Sequence, residues 1–529
     1  MAGIRAVCAA ALAVLAITGA IVAIRAWLGP FFLGPVSVNS PMNVEGVFAL
    51  VFIGLVLCGR AIGGGGRPLE GRPWLHVAGL LVMIAALFWR SLFFPLLSDD
   101  YILVMQAGRS DDSLLRPFFE AGGDGSYRPV GHALLFASGQ WAHSIAVRWH
   151  ILSLALHTAN TLLVWAAARY AVRRADVALL AATIFALHGT RPEAVTWTAG
   201  RWDVFAAFFA LGGLLVFLRY YDTGKSVFCA ASVLLVAAAI MCKESAYAFP
   251  ALAVAFVAVA RFDGRVSPSR RVLTTLIAPA IMLVYRFILF RGPGGYIDPQ
   301  TGRAQILSVR FLPALKALFL RLWAVLIFPI DWAQAPELYL AAVMLLMIAC
   351  LAGLSIARSS LDRKSRWILA ACVMGSTLPA VHLLAVGSDL LGSRILYLPV
   401  VVFALFLSVL VMSVRSAALA RPMAVCVIVF YAATLGHNLD VWGRVASLAE
   451  RTCIAAAQQV AGAPSAAVIG IPVAIDGVPF FANGLAECVA LHSSAAPSQW
   501  IVTHLPGKDV PDKSGQRVLV WDTAGNFLR

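Results

Sequence analysis

Apolar runs broken by short polar stretches recur along most of this chain. As a helix, a run of about twenty such residues spans the roughly 30 Å hydrocarbon core of a bilayer. The runs centre near residues 17, 53, 86, 157, 182, 211, 234, 253, 281, 347, 376, 404 and 430 and predict about thirteen transmembrane helices. Residues 309–329 are also apolar, but they carry Pro313, Lys316 and Arg321 and are expected to form a re-entrant or interfacial helix on the outer side. The run within Met1 to Leu28, preceded by Arg5, is expected to be a retained helix, because it exceeds a signal-peptide core. After residue 438 the pattern changes to a helix at Val441–Val460 and then short apolar runs at Ala466–Val473, Trp500–His504 and Arg517–Trp521, separated by Gly, Pro, Asp and Ser. The expected fold is an all-α polytopic membrane protein, with a transmembrane domain over 1–438 and a small soluble α/β domain over 439–529.

Composition sharpens this. With 61% hydrophobic and 13% charged residues, the chain lacks the polar surface that water requires. The net charge of +15 is read as loop charge, with no nucleic-acid partner expected. If the N-terminus is cytoplasmic, nineteen Lys and Arg fall in short inside loops, among them Arg60, Arg67, Arg72, Arg169, Arg173, Arg174, Arg265, Arg358, Arg363, Lys364 and Arg366. Counting 309–329 as a span would put the group from Arg358 to Arg366 outside, the poorer solution. The outer side then receives the loop from Ser98 to Ala142, the stretch His188 to Asp203, the turn at Lys243-Glu244, the stretch Arg291 to Glu337, the turn Ser388 to Arg394, and the tail. Usage rich in Ala and Arg and poor in Lys points to a bacterial inner membrane, with the C-terminal domain periplasmic. Seven cysteines lie in apolar segments and read as small core residues; Cys453 and Cys488 lie in the tail, where an oxidising compartment would permit pairing.

Polar residues at the membrane boundary carry the candidate chemistry. Asp99 and Asp100 emerge from the third span on the outer side, where two adjacent carboxylates are costly unless hydrated, paired or used. The same loop holds Asp111, Asp112, Glu120 and Asp124, then Tyr127-Arg128-Pro129; a carboxylate here can deprotonate a hydroxyl, and an arginine can hold a phosphate. Arg25, Arg90, Arg148 and Arg286 sit toward the outer ends of their spans, where they either snorkel to the interface or attract a lipid-linked anion. Arg394, beside Ser393 and Tyr397, suits a phosphate at the membrane surface. Lys243-Glu244 reads as a hydrated turn or an ion pair. His150, His157 and Asn160 share one helix face and read as hydrogen-bonding groups between helices rather than metal ligands. The chain has no HExxH, zinc-type cysteine cluster, P-loop or dinucleotide fingerprint, and Gly63–Gly66 is too simple to cradle a phosphate.

In order, SDDY at 98–101, YRPV at 127–130, HTANTLL at 157–163, HGTRPEAVTWTAGRWD at 188–203, CKES at 242–245 and SRILYLP at 393–399 resemble the polyprenyl-phosphate-sugar-dependent glycosyltransferases of the GT-C fold. The likeness is to the protein O-mannosyltransferase relatives, including those with tetratricopeptide repeats. The resemblance implies a cavity facing the periplasm, Asp99 or Asp100 as general base, and inversion at the anomeric carbon. It implies donor-phosphate contacts from Arg128, Arg201, Lys243, Arg394 and Tyr397, with Arg394 foremost, and a pocket lined by Tyr127, His157, Asn160, Glu193, Asp203 and Glu244. The implied partners are a polyprenyl-phosphate-linked sugar, membrane lipids, and a lipid, glycan or protein acceptor. No cofactor is required; outer-loop carboxylates could hold a divalent metal, but no metal site is expected. Three departures stand out: Asp-Asp where many relatives have Asp-Glu, an added hairpin over 1–60, and a tail without tetratricopeptide repeats. A flippase for lipid-linked glycans predicts two related halves or broken helices at mid-membrane, neither of which is visible in the sequence. A polysaccharide polymerase or ligase would share the same outer face.

Overall fold

A computed structural model describes residues 2–33, 36–38, 41–59, 72–107, 116–119, 126–262, 269–292, 311–383, 386–493, 496–504, 516–523 and 527–528. Arg60, Arg67, Gly63–Gly66, Asp111, Asp112, Glu120, Asp124 and Arg265 lie outside these residues.

Among the described residues, eight helices are long and apolar enough to cross a membrane: Val7–Leu28, Pro73–Phe93, Ala146–Val172, Thr198–Thr223, Glu244–Arg261, Arg270–Phe290, Leu338–Ile356 and Ala417–Gln459. Four shorter apolar helices, Met42–Cys58, Ala175–Leu187, Ser226–Ile240 and Pro399–Met412, occupy the other predicted centres but one. The thirteenth, near residue 376, falls where the helix Arg363–Gly375 ends and a 3-10 turn, Leu378–Leu383, follows. The chain is thus a helical, multi-pass membrane protein with a small C-terminal sheet.

The two short helices Ala175–Leu187 and Pro399–Met412 pack on each other and are buried at almost every position. A helix that is apolar all round belongs at the centre of a bundle. The helix Ile277–Phe290 instead leaves Ile281, Leu283, Val284, Phe287 and Ile288 exposed, as a lipid-facing helix does. Residues Phe311 to Ile327 form a helix interrupted by a π turn at Ala317–Arg321, packed against Met42–Cys58.

The last helix, Ala417–Gln459, is continuous for 43 residues and crosses the predicted boundary at 438 without a break. At 1.5 Å per residue it is about 65 Å long, twice the hydrocarbon thickness, so it is longer than a span needs and its second half carries the tail. In the tail, Ser465–Ile469 is the middle strand, parallel to Gln499–Val502 on one side and to Gln516–Asp522 on the other. Phe527–Leu528 adds an antiparallel edge, and the crossover helix Leu485–His492 packs on the long helix. Cys453 and Cys488 pair across that packing, with Cα atoms 6.0 Å apart. Phe480, Phe481, Leu485 and Val489 of the tail share one apolar cluster with Leu96, Leu97 and Tyr101 beside the paired aspartates and with Trp197 and Trp202.

Candidate active site

Asp99 and Asp100, expected where the third span emerges, lie beyond its last turn at Phe93 and begin a helix of their own, Asp99–Ala107. Directly before it stands Ser98, whose φ of 51° lies in the left-handed region that non-glycine residues rarely adopt. The two carboxylates then face different surroundings. Asp100 is 0% exposed; Oδ1 accepts the Ala199 N–H at 2.9 Å and Oδ2 the Leu97 N–H at 3.4 Å. Burial pushes its carboxyl up to about 8, against the pull of those N–H groups and of Arg201. Asp99 is half-buried, and Oδ1 accepts from Asn483 Nδ2 of the tail at 3.0 Å.

Asp100 joins the segment that opens at Ser98 to the stretch 188–203. The bonded amide, Ala199, lies in the tight turn Thr198–Gly200. That turn presses so closely on the short helix Arg191–Val195 that a Cβ at Gly200 would lie 2.2 Å from the Glu193 carbonyl oxygen. Glu193, buried, gathers the turn before the Pro399 helix. Its Oε1 accepts from Gly392 N at 3.2 Å and Arg394 Nη1 at 3.1 Å, and its Oε2 from Ser393 Oγ at 3.2 Å and Arg394 N at 2.9 Å. Burial raises the Glu193 carboxyl, while Arg394 and these donors hold it down. The Arg394 guanidinium lies 4.6 Å from the Trp197 ring centroid, a cation–π contact, and its side chain keeps 30% exposure.

A second cationic group meets the first at Lys243. Arg128, which leads into the helix Pro129–Ala142, donates Nε and Nη2 to Glu244 Oε2 at 3.1 and 2.9 Å. Arg286 Nη1 reaches the other oxygen of Glu244 at 3.2 Å. Lys243 Nζ lies 4.0 Å from Asp203 Oδ2, and Ser245 Oγ donates to Asp203 Oδ1 at 3.0 Å. Burial and the positive charge of Arg128 push the Lys243 amine down to about 8, with Asp203 and Glu244 pulling it back. Lys243 and Glu244 thus take part in three ion pairs with residues outside the turn: Lys243 with Asp203, and Glu244 with Arg128 and Arg286. Arg128, Lys243 and Arg394 remain 11%, 13% and 30% exposed.

Other predicted residues are turned into the protein. Arg201 is fully buried, donating Nε to Ser153 Oγ at 3.0 Å and Nη2 to the Trp149 carbonyl at 2.6 Å. The Tyr397 hydroxyl meets His157 Nδ1 at 2.7 Å and accepts from Asn160 Nδ2 at 3.2 Å. His157 and Asn160 also bond the Ala186 and Val204 carbonyls, and His150 meets the Phe94 carbonyl at 2.9 Å, so this face ties helices together as expected. Tyr127 donates its hydroxyl to the Phe118 carbonyl at 3.0 Å. The interfacial arginines have protein partners too: Arg90 pairs with Asp440 at 2.6 Å, Arg148 with the Trp141 carbonyl, and Arg25 lies over Trp332.

Sequence reasoning missed several contributors. Arg191 is fully buried, 4.4 Å from the Tyr397 ring centroid and 4.9 Å from that of Phe185. Asn438 donates to the Gly189 and Pro329 carbonyls at 2.7 and 2.8 Å, fixing the entry to the 188–203 stretch. Trp197, Gly200 and Arg191 stand inside a motif already singled out; for Asn438 and Asn483 the sequence carried no signal. Around the two charged groups, Ser98 Oγ, Trp197 Nε1, Thr198 Oγ1 and Asp203 Oδ2 are buried without hydrogen-bond partners among the described residues. Orphans of this kind are uncommon in folded proteins and mark places where water or a ligand completes the bonding. Among the described residues the metal-ligand grouping is Cys453, Cys488 and His492, whose two sulfurs are joined to each other.

No family model matches the chain. Over 198 residues, 36% of its length, it is 27% identical to Protein O-mannosyl-transferase Tmtc2 of Drosophila melanogaster, and the match spans 21% of that protein. Among solved structures, ArnT from Cupriavidus metallidurans, crystallised with undecaprenyl phosphate, is 16% identical over 80% of this chain and 89% of that one, with a TM-score of 0.36. The chain is similar to the protein O-mannosyltransferase relatives, the resemblance that its six ordered motifs carry.

Proposed function

We propose that this protein is a glycosyltransferase that moves a sugar from a polyprenyl-phosphate donor to a lipid, glycan or protein acceptor at the periplasmic face of a bacterial inner membrane. The observation that carries the reading is the juxtaposition at 197–199: Trp197 lies against the exposed cation Arg394, and two residues on, Ala199 binds Asp100 of the aspartate pair. One turn thereby holds a phosphate-facing cation, Arg394, and Asp100, the immediate neighbour of the proposed base.

Of the two aspartates, Asp99 is the proposed base. Asp100 is sealed, with both oxygens occupied; Asp99 is half-buried, and its Oδ2 has no hydrogen-bond partner among the described residues. In the proposed step Asp99 takes the proton of the acceptor hydroxyl, the acceptor oxygen bonds to the anomeric carbon, and the anomeric C–O bond to phosphate breaks, inverting the centre. The lipid phosphate leaves with the electron pair, stabilised by Arg394, Lys243 and Arg128. No cofactor enters, because the donor carries its own leaving group. The disulfide Cys453–Cys488 supports a tail in an oxidising compartment, and the basic residues expected in inside loops agree with that orientation.

The test is mass analysis of envelope glycans and glycoproteins from cells lacking this chain, with labelling of a cysteine placed at residue 99. The reading expects a missing hexose-bearing species, restored by the wild-type chain, and reaction of the cysteine with an impermeant reagent from the periplasm. An unchanged glycan profile, or reaction only from the cytosol, would overturn it.

A further inference from the structure

The tail meets the active-site loop at one point. Gly484, with φ of 84°, lies so close to Ser98 that a Cβ there would be 2.1 Å from the Ser98 carbonyl oxygen. The preceding residue, Asn483, donates Nδ2–H to Asp99 Oδ1 at 3.0 Å. Behind this contact the helix Leu485–His492 is pinned to the long helix by the disulfide at Cys488 and packs against Asp99–Ala107. The long helix also holds the segment leading to the aspartates: Gly443 lies against the Phe94 ring, and Asp440 pairs with Arg90.

We propose that the C-terminal domain is a wall of the acceptor site and that Asn483 is a positioning residue for Asp99. The amide fixes the carboxylate plane and occupies Oδ1, leaving Oδ2 for the acceptor proton. Ser98, strained in the left-handed region, directs the Asp99 backbone, and the tail supplies the side-chain constraint. The inference rests on the reading of Asp99 as base.

The test uses the full-length chain in membranes of cells lacking the native copy. These are fed the 13C-labelled polyprenyl-phosphate fraction extracted from the same cells, and the product is the glycan species that the deletion removes. Asn483→Ala is expected to lower kcat up to about tenfold with donor KM unchanged, the rate equivalent of one charge-assisted hydrogen bond. Asn483→Asp sets a second carboxylate about 3 Å from Asp99 and is expected to move the acidic limb of the pH–rate profile upward by about one unit. Asn483→Gln, which keeps the donor, should recover part of kcat. A lowered melting temperature with an unmoved pH profile would assign Asn483 to structure alone and overturn the proposal, as would variants indistinguishable from wild type. Asp99→Asn separates the two levels. If it abolishes transfer while both Asn483 variants are silent, only the positioning role fails; if it leaves transfer intact, the base assignment itself fails.

Discussion

Replacing Glu193 by glutamine removes the carboxylate that gathers the Gly392–Arg394 turn, and the structure gives the cost. The carboxylate accepts four hydrogen bonds, two from backbone N–H groups, one from the Ser393 hydroxyl and one from the Arg394 guanidinium. An amide accepts on one oxygen only and turns its NH2 toward the remaining donors. A buried donor left unmet costs about 1–3 kcal/mol. Breaking a buried ion pair from one side costs about 3–5 kcal/mol, with the lower end applying here because Arg394, 30% exposed, can rehydrate. The expected loss is therefore about 3 kcal/mol. Thermal unfolding in detergent should show a melting temperature lowered by several degrees, and transfer assays a raised donor KM, since Arg394 loses the anchor that holds it over Trp197. Glu193→Asp keeps the charge but is one methylene short, so it should fall between the two. A Glu193→Gln variant with wild-type melting temperature and wild-type kcat/KM would refute the reasoning, because Glu193 is the carboxylate that pairs with that guanidinium among the described residues.

Burial pushes the carboxyls of Asp100 and Asp331 up to about 8, so between their ordinary range and pH 8 the folded chain holds more protons than the unfolded one. Stability should fall as pH rises through that window, by up to about 1.4 kcal/mol per pH unit per group, and Asp100→Asn with Asp331→Asn should flatten the melting-temperature profile; an unchanged slope counts against it. Glu244→Gln leaves Arg128 and Arg286 without their shared counter-charge and should cost about 3 kcal/mol in detergent melts, part of it recovered by adding Arg286→Met; purely additive losses would refute the coupling. Gly484→Ala should separate the tail from the outer loop and lower transfer sharply while membrane insertion, read by fractionation, is unaffected; full activity would mean that the contact is dispensable.

Hydropathy located the helices because a bilayer leaves the backbone few choices, and twelve of the thirteen centres fall within helices. The polar details were less legible. The boundary read at 438 falls inside a helix that continues through it: His437 and Asn438 face inward to the Asp331, Gly189 and Pro329 backbone, and Asp440 pairs with Arg90. Gly436 weakens a helix without ending it, and a polar residue satisfied by a distant loop looks the same in sequence as one satisfied by water. Arg25, Arg90, Arg148 and Arg286 invited a snorkelling or anion-binding reading for the same reason; their partners lie on other elements. The motifs from 188 to 203 and 393 to 399 meet in the structure, yet spacing could not reveal that Glu193 binds the second of them or that Arg201 and Tyr397 turn inward. Local chirality bears on the aspartates: the preceding helix ends at Phe93, and a left-handed Ser98, which no propensity rule anticipates, stands directly before a new helix at Asp99.

The central claim is that Asp99, not Asp100, takes the acceptor proton. The most direct measurement compares sugar transfer by Asp99→Asn and Asp100→Asn membranes supplied with labelled polyprenyl-phosphate sugars, alongside donor retention by each variant. Asp99→Asn should retain donor and lose transfer by about a hundredfold or more, the typical share of a general base, while Asp100→Asn keeps a substantial part of the rate. Transfer surviving in Asp99→Asn at the wild-type rate would contradict the account.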